Sequence, residues 1–214
     1  MWEFQSETDS IIVVATDISG RNMSPKQSVH RPTQLLDEYL WAIDSRGRVF
    51  GKRTRAESHK QGITHRAVHV VVLDPRLRIF VKKRSQSKDM FPRQWETSVG
   101  GHVTYGDNTA KTAARELEEE LGIIETPIYL TRFRYRGREE KENITFFYVL
   151  TKKKPKLNRS EATIGEFITV DELEKALSRR TFVDGTVDEL LIIKKLLSKL
   201  QEPSRLLVSK AANR

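Results

Sequence analysis

GHVTYGDNTAKTAARELEEELGI, residues 101–123, is the stretch of this 214-residue chain whose reading decides most of the rest. From Thr109 to Leu121 it holds neither glycine nor proline, and Ala110, Ala113, Ala114, Leu117 and Leu121 recur at helical spacing. The spacing predicts an amphipathic helix that Gly122 closes. Residues three and four apart share a helical face, so Glu116, Glu119 and Glu120 direct their carboxylates at one small volume. Such crowding is costly unless a hard divalent cation compensates it. Mg²⁺ suits, because it takes oxygen ligands and keeps waters and phosphates in its shell, with Mn²⁺ as the alternative. Taken alone, Glu118, Glu119 and Glu120 read as a solvated face on which Arg115 pairs with Glu119. The surroundings favour a site: Gly100-Gly101 ends a strand, five residues separate Gly101 from Asp107, and Arg115-Glu116-Leu117 precedes Glu119-Glu120-Leu121-Gly122-Ile123 at fixed spacing.

On the N-terminal side, Val68 to Leu73 is rich in β-branched residues and breaks at Asp74-Pro75. Leu77, Ile79 and Val81 then alternate, which predicts a hairpin followed by a mostly polar loop from Lys82 to Gln94. Tyr39 to Ile43 and Arg48 to Phe50 flank the turn-forming Asp44-Ser45-Arg46-Gly47 and read as two more strands. Residues 1–34 read as an arm and linker, with Ile11 to Ala15 their one apolar run, and the arm is a candidate for pairing two copies into a homodimer. Beyond the helix, Ile128 to Tyr135 and Ile144 to Leu150 are strand candidates joined by the charged segment Arg136 to Asn143. A basic loop holds Lys152, Lys153, Lys154 and Lys156; helices follow near Asp171 to Leu177, with Asp171 a cap candidate, and near Val187 to Leu200. The expected organisation is therefore an arm (1–34), one domain (35–202) and a tail (203–214).

Composition narrows the function classes. With 37% apolar and 31% charged residues, the chain supports a packed core and does not read as disordered. No apolar run approaches the ~18 residues of a membrane span, so no membrane partner is expected and a cytoplasmic setting is the default. The absence of cysteine excludes disulfides, thiolate metal sites and a cysteine nucleophile. The net charge of +9 suits phosphate-bearing partners, from a nucleotide up to nucleic acid, without choosing among them.

Gly101 to Ile123 resembles the 23-residue Nudix box: a glycine, five residues, a glutamate, seven residues, Arg-Glu, an aliphatic residue, any residue, Glu-Glu, any residue, a glycine and an aliphatic residue. Asp107 departs from it, standing where the family has glutamate. The resemblance implies an α/β fold with a mixed β-sheet sandwiched between α-helices. It also implies that Glu116, Glu119 and Glu120 bind metal, with the Gly101 carbonyl as an addition, and that Arg115 orients them through ion pairs. Asp107 would position those partners from behind, and Glu120 is the first choice for general base, with Glu142 and Glu161 in reserve.

Thr64-His65-Arg66-Ala67, Lys83-Arg84-Ser85, Lys88, Pro92, Trp95 and Ser98-Val99-Gly100-Gly101-His102 are similar to the isopentenyl diphosphate isomerase-like branch. True isomerases of that branch carry a cysteine at the position of Gly100, and Ile144 sits where a second acidic residue would accompany Glu142, so isomerase activity is disfavoured. His59, His65 and His102 are read as hydrogen-bonded or exposed side chains ahead of a second metal site, and Trp95 as a packing anchor ahead of a stacking platform. The resulting expectation is metal-dependent hydrolysis of a phosphoanhydride in a nucleoside di- or triphosphate or a nucleoside diphosphate-linked compound. The alternative is a nucleotide- or RNA-binding module with little turnover.

Overall fold

The computed structural model describes residues 38–201 apart from residues 98, 138 and 139. The arm and the tail expected from sequence lie outside the described residues. The strands are β1 (Tyr39–Ile43), β2 (Val49–Thr54), β3 (His65–Leu73), β4 (Ile79–Arg84), β5 (Trp95–Thr97), β6 (Val99–His102), β7 (Ile128–Arg136), β8 (Lys141–Leu150) and β9 (Ala162–Ile168). The helices are α1 (Arg55–Gln61), α2 (Thr109–Leu121), α3 (Val170–Leu177) and α4 (Thr186–Gln201).

All nine strands among the described residues belong to one mixed sheet organised around β3. One edge of β3 runs parallel to β8 over its whole length, from His65 opposite Glu142 to Leu73 opposite Leu150. The other edge meets β1, β6 and β4 in turn, all antiparallel. A strand so enclosed buries both faces, which is why its sequence reads as a nearly continuous apolar run. Val68, Val70 and Val72 pack under α2 with Ala113, Leu117 and Leu121. Ala67, Val71 and Leu73 pack on the opposite face with Leu190, Ile193 and Leu197 of α4. The result is the expected sheet between helices.

Burying a leucine contributes roughly 1.5–3 kcal/mol, whereas a helix N-cap contributes about 1 kcal/mol. The buried Leu117 and Leu121 therefore outweigh the Asn108 cap in seating α2, and the carboxylates on its polar side are carried to fixed places. Gly122 ends α2 at φ 62°, as its position implied.

Several readings need correction. The loop expected from Lys82 begins only after Arg84: β4 continues because β5 and β9 both pair with it. Thr169, not Asp171, caps α3, in a reciprocal box with Glu172. Ala110 is exposed in the first turn of α2, and Thr112 is buried instead. Two elements escaped sequence reading altogether, α1 with its Thr54–Glu57 capping box and the edge strand β9.

Candidate functional site

Arg115 is the hinge of the box carboxylates. Its NH2 lies 2.8 Å from Glu116 Oε1 and its NH1 2.9 Å from Glu119 Oε2, so one guanidinium holds both acids. Glu116 is half-buried, and burial, reinforced by the charges of Glu120 and Glu119 against the pull of Arg115, raises its pKa to about 7. Gly101 lies against it so closely that a Cβ there would stand 2.4 Å from Glu116 Cδ. Glycine at 101 is thus a steric requirement of the carboxylate. Metal-free, the pair carries more negative charge than Arg115 offsets, and a cation fits there on chemical grounds.

Glu120 lines the same cavity as Glu116 and Glu119 and adds its charge to that of Glu116, while also meeting a partner of its own. It is buried, and its Oε2 sits 2.9 Å from the Nζ of Lys82, which is 1% exposed. The same ammonium contacts Glu96, whose other oxygen accepts from Arg84 NH1 at 2.7 Å. Of the reserve bases, Glu161 pairs with Lys88 at 2.5 Å and Glu142 joins the histidines described below. Asp107 is not brought to the cluster. It is exposed, its carboxylate has no hydrogen bond or ion pair among the described residues, and its backbone oxygen accepts from Trp41 Nε1 at 3.3 Å. The loop turns outward there so that Asn108 can cap α2, accepting from Lys111 N at 2.9 Å. Asp107→Asn is accordingly expected to change stability by no more than about 0.5 kcal/mol and turnover by less than about 3-fold, as for a surface residue. A large loss in a steady-state assay would restore the positioning role.

His59, His65, His102 and Glu140 form a compact group whose ligand atoms all lie within 4.8 Å of one another. His59 comes from α1, His65 from β3 and His102 from β6, while Glu140 immediately precedes β8. Glu140 Oε1 is 3.7 Å from His59 Nε2 and 3.5 Å from His102 Nε2, and Glu142 Oε1 is 3.6 Å from His102 Nε2 and 3.7 Å from His65 Nε2. The Nδ1 of His65 faces the Ile63 carbonyl at 3.0 Å, a contact that places the proton on Nδ1 and leaves Nε2 a lone pair. The buried Nε2 atoms of His59 and His65 have no hydrogen-bond partner. Orphaned imidazole nitrogens beside two carboxylates fit a borderline divalent ion. Burial outweighs the partial compensation from Glu140 and lowers the pKa of His59, whereas the nearby Glu142 carboxylate outweighs burial and raises that of His65. Glu142 itself is held down to about 2, since the neighbouring His65, His69 and His102 overcome desolvation. Three histidines read from sequence as hydrogen-bonded or exposed side chains ahead of a second metal site are thus brought together, and the acidic residue that accompanies Glu142 is Glu140, not the residue at the position of Ile144. The available signal was the Glu140-x-Glu142 spacing, which places both residues on one side of an extended chain.

His69, on the same side of β3, faces Glu189 of α4 through Nδ1, and Thr97 Oγ1 donates to the other Glu189 oxygen. Burial alone would lower the pKa of His69, but the charge and hydrogen bond of Glu189 raise it to about 9. A group raised in this way contributes stability that is complete below its unfolded value near 6.5 and lost as pH climbs through about 9. Wild type is therefore expected to lose up to about 3 kcal/mol relative to His69→Gln between those limits. Thermal midpoints of both proteins across that range would check this, and parallel curves would refute it.

Both groups of side chains open on one cavity of about 410 Å³, whose lining includes Glu116, Glu119, Gly101, His102 and Glu140. Arg55, Arg84 and Lys88 bring positive charge to it, and Phe91, Phe133 and Tyr135 bring apolar surface. Trp95 is outside it; the Arg180 guanidinium covers its ring at 4.4 Å, in keeping with a packing role. No helix among the described residues is long and apolar enough to cross a membrane.

Residues 63–187 match the NUDIX domain family. The chain is 39% identical over 101 residues to an uncharacterized Nudix hydrolase of Streptomyces coelicolor, covering 46% of this chain and 56% of that protein. It is 30% identical over 102 residues to an isopentenyl-diphosphate Delta-isomerase of Serratia proteamaculans, covering 48% of this chain and 57% of that one. The chain thus spans about half the length of these curated relatives. A crystal structure of a Deinococcus radiodurans protein superposes with a TM-score of 0.61 at 21% identity, covering 72% of this chain and 97% of that one, a likeness of fold.

Proposed function

This chain belongs to the Nudix domain family, and on that premise we propose that it hydrolyses a phosphoanhydride bond in a nucleoside di- or triphosphate or a nucleoside diphosphate-linked compound, with a divalent cation as cofactor. The observation that carries the proposal is the pairing of Glu116 and Glu119 through Arg115 against the bare backbone of Gly101, at the wall of a cavity that also presents basic side chains. Mg²⁺ or Mn²⁺ would be held by Glu116, Glu119, Glu120 and the Gly101 carbonyl, and when bound it supplies the charge that neutralises a diphosphate and acidifies water. Arg115 holds Glu116 and Glu119 in place through its two ion pairs. Arg84 and Lys88, already anchored by Glu96 and Glu161, offer cationic hydrogen bonds to phosphate oxygens without a large ordering cost.

The histidine group favours a second reading, a diphosphate isomerase, because that branch resembles this chain in the same segment. Against it stands Gly100 in the place of the isomerase cysteine, in a chain with no cysteine. Release of phosphate or pyrophosphate from a panel of nucleotides with Mg²⁺, run beside an isomerisation assay, separates the readings. Turnover in the panel supports hydrolysis. Isomerisation without phosphate release would replace it, and tight nucleotide binding with no turnover in either assay would favour a binding module.

A further inference from the structure

Gly100 and Gly101 are neighbours on β6, so a Cβ on each would point to an opposite face of the sheet. At Gly101 it would meet Glu116 of α2, at the proposed cation site. At Gly100 it would stand 3.2 Å from both Nε2 and Cδ2 of His69, the residue directly opposite on β3. The cavity touches both glycines, and so both faces of β6. The proposed hydrolysis accounts for the Gly101 face and gives the Gly100 face no part.

His69 is held there in one orientation. Its Nδ1 is engaged by the buried Glu189, whose second oxygen accepts from Thr97 Oγ1. Nε2 is therefore the ring nitrogen that can meet a ligand, and the bare, exposed backbone of Gly100 leaves it within reach. Beside it the cavity wall is formed by Phe133, Tyr135 and Ile144, which belong to the apolar cluster on the α4 side. The Tyr135 hydroxyl is buried with no hydrogen-bond partner. His69 is the one cationic group among these wall residues, and Glu189 offsets its charge. Two polar atoms set in aromatic and aliphatic surface suit an uncharged group that carries hydroxyls. A hydroxyl both donates and accepts, so it satisfies Nε2 in either protonation state, whereas an ionised phosphate oxygen only accepts. An apolar isoprenoid tail would cover both polar atoms and leave them unpaired, which disfavours it.

We propose that His69, clamped by Glu189 and Thr97 behind the opening at Gly100, is a specificity-determining residue that hydrogen-bonds an uncharged, hydroxyl-bearing group carried by the diphosphate. The substrate is then a nucleoside diphosphate linked to a polyol such as a sugar, in preference to a nucleoside triphosphate. Such a molecule straddles β6, with its diphosphate on the Gly101 face and its polyol on the Gly100 face. Glu189 and Thr97 are positioning residues that act through His69. The inference rests on the hydrolase reading made above.

The test is kcat/KM with Mg²⁺ for UDP-glucose and ADP-ribose against UTP and ATP, on the full-length chain. Wild type is expected to favour at least one linked compound over the triphosphate of the same base. His69→Phe keeps a ring and removes Nε2, and is expected to lower that preference by roughly 10- to 10²-fold, mostly through KM, as for a hydrogen bond made in ground and transition state alike. Gly100→Ala covers Nε2 and leaves the His69–Glu189 pair in place, and should lower the preference in the same sense. His69→Gln, whose amide donates and accepts, should recover part of it. A wild type that prefers triphosphates overturns the proposal, as does a loss in His69→Phe and Gly100→Ala that falls equally on linked compounds and triphosphates. Should His69→Phe not fold, Gly100→Ala decides by itself. Calorimetric titration with the same compounds keeps the two readings apart. A wild type that hydrolyses nothing yet binds a linked compound with an affinity that Gly100→Ala weakens defeats the hydrolase reading and retains the subsite. Hydrolysis of triphosphates alone, or neither binding nor turnover of a linked compound, defeats the subsite.

Discussion

Glu116→Gln and Glu119→Gln are each expected to lower turnover by at least about 10²-fold while leaving the far-ultraviolet circular dichroism unchanged. The expected loss is large because each substitution removes an anionic ligand at the reacting phosphate, and neither touches the apolar stripe of Ala113, Leu117 and Leu121 that seats the helix. Glu116 has a second signature. Burial and its acidic neighbours raise its pKa to about 7, so near neutral pH metal-free protein holds a proton there that a bound cation must displace. Proton release on Mg²⁺ addition in weak buffer near pH 6.5 is thus expected from wild type and absent from Glu116→Gln. Near-wild-type rates in both variants would remove these residues from the site.

The histidine group is expected to produce the largest stability effect. An ion at a thousandfold excess over its Kd stabilises a native state by about 4 kcal/mol. For a domain of this size each kcal/mol moves the thermal midpoint by about 2–4 °C, so Zn²⁺, which imidazole suits, should raise the midpoint by roughly 10 °C over chelator-treated protein. His65→Asn removes the nitrogen whose lone pair is fixed by the Ile63 carbonyl and should abolish most of that rise. An equal Zn²⁺ shift in wild type and His65→Asn would show that the three rings pack as ordinary aromatic neighbours, with centroids about 5 Å apart.

The two centres differ in how far they were legible in the chain itself. The carboxylate centre lies within one helix, where a fixed rise per residue converts spacing directly into a shared face. Asp107 misled for a related reason. Its position along the box is regular, but it sits in a loop, where no period links spacing to direction, and the need to cap α2 turned it outward. Lys82 was placed in a loop because the apolar alternation of Leu77, Ile79 and Val81 stops there. Its strand continues through hydrogen bonds to β5 and β9, partners far along the chain that no local pattern announces.

Local regularities in the order of residues therefore specified the sheet-forming runs, the long helix with its glycine stop, and the carboxylates on that helix, because those features depend on neighbours within a few positions. Contacts between distant segments settled the remainder. The pairing of β3 with β6 and β8 is what sets His65, His102 and Glu142 side by side, and α1, a seven-residue helix whose sequence carries little apolar pattern, adds His59. Burial then assigned the charges. Of three glutamates equivalent on a helical wheel, Glu120 alone meets a buried ammonium, since only its direction from α2 points at the strand that carries Lys82.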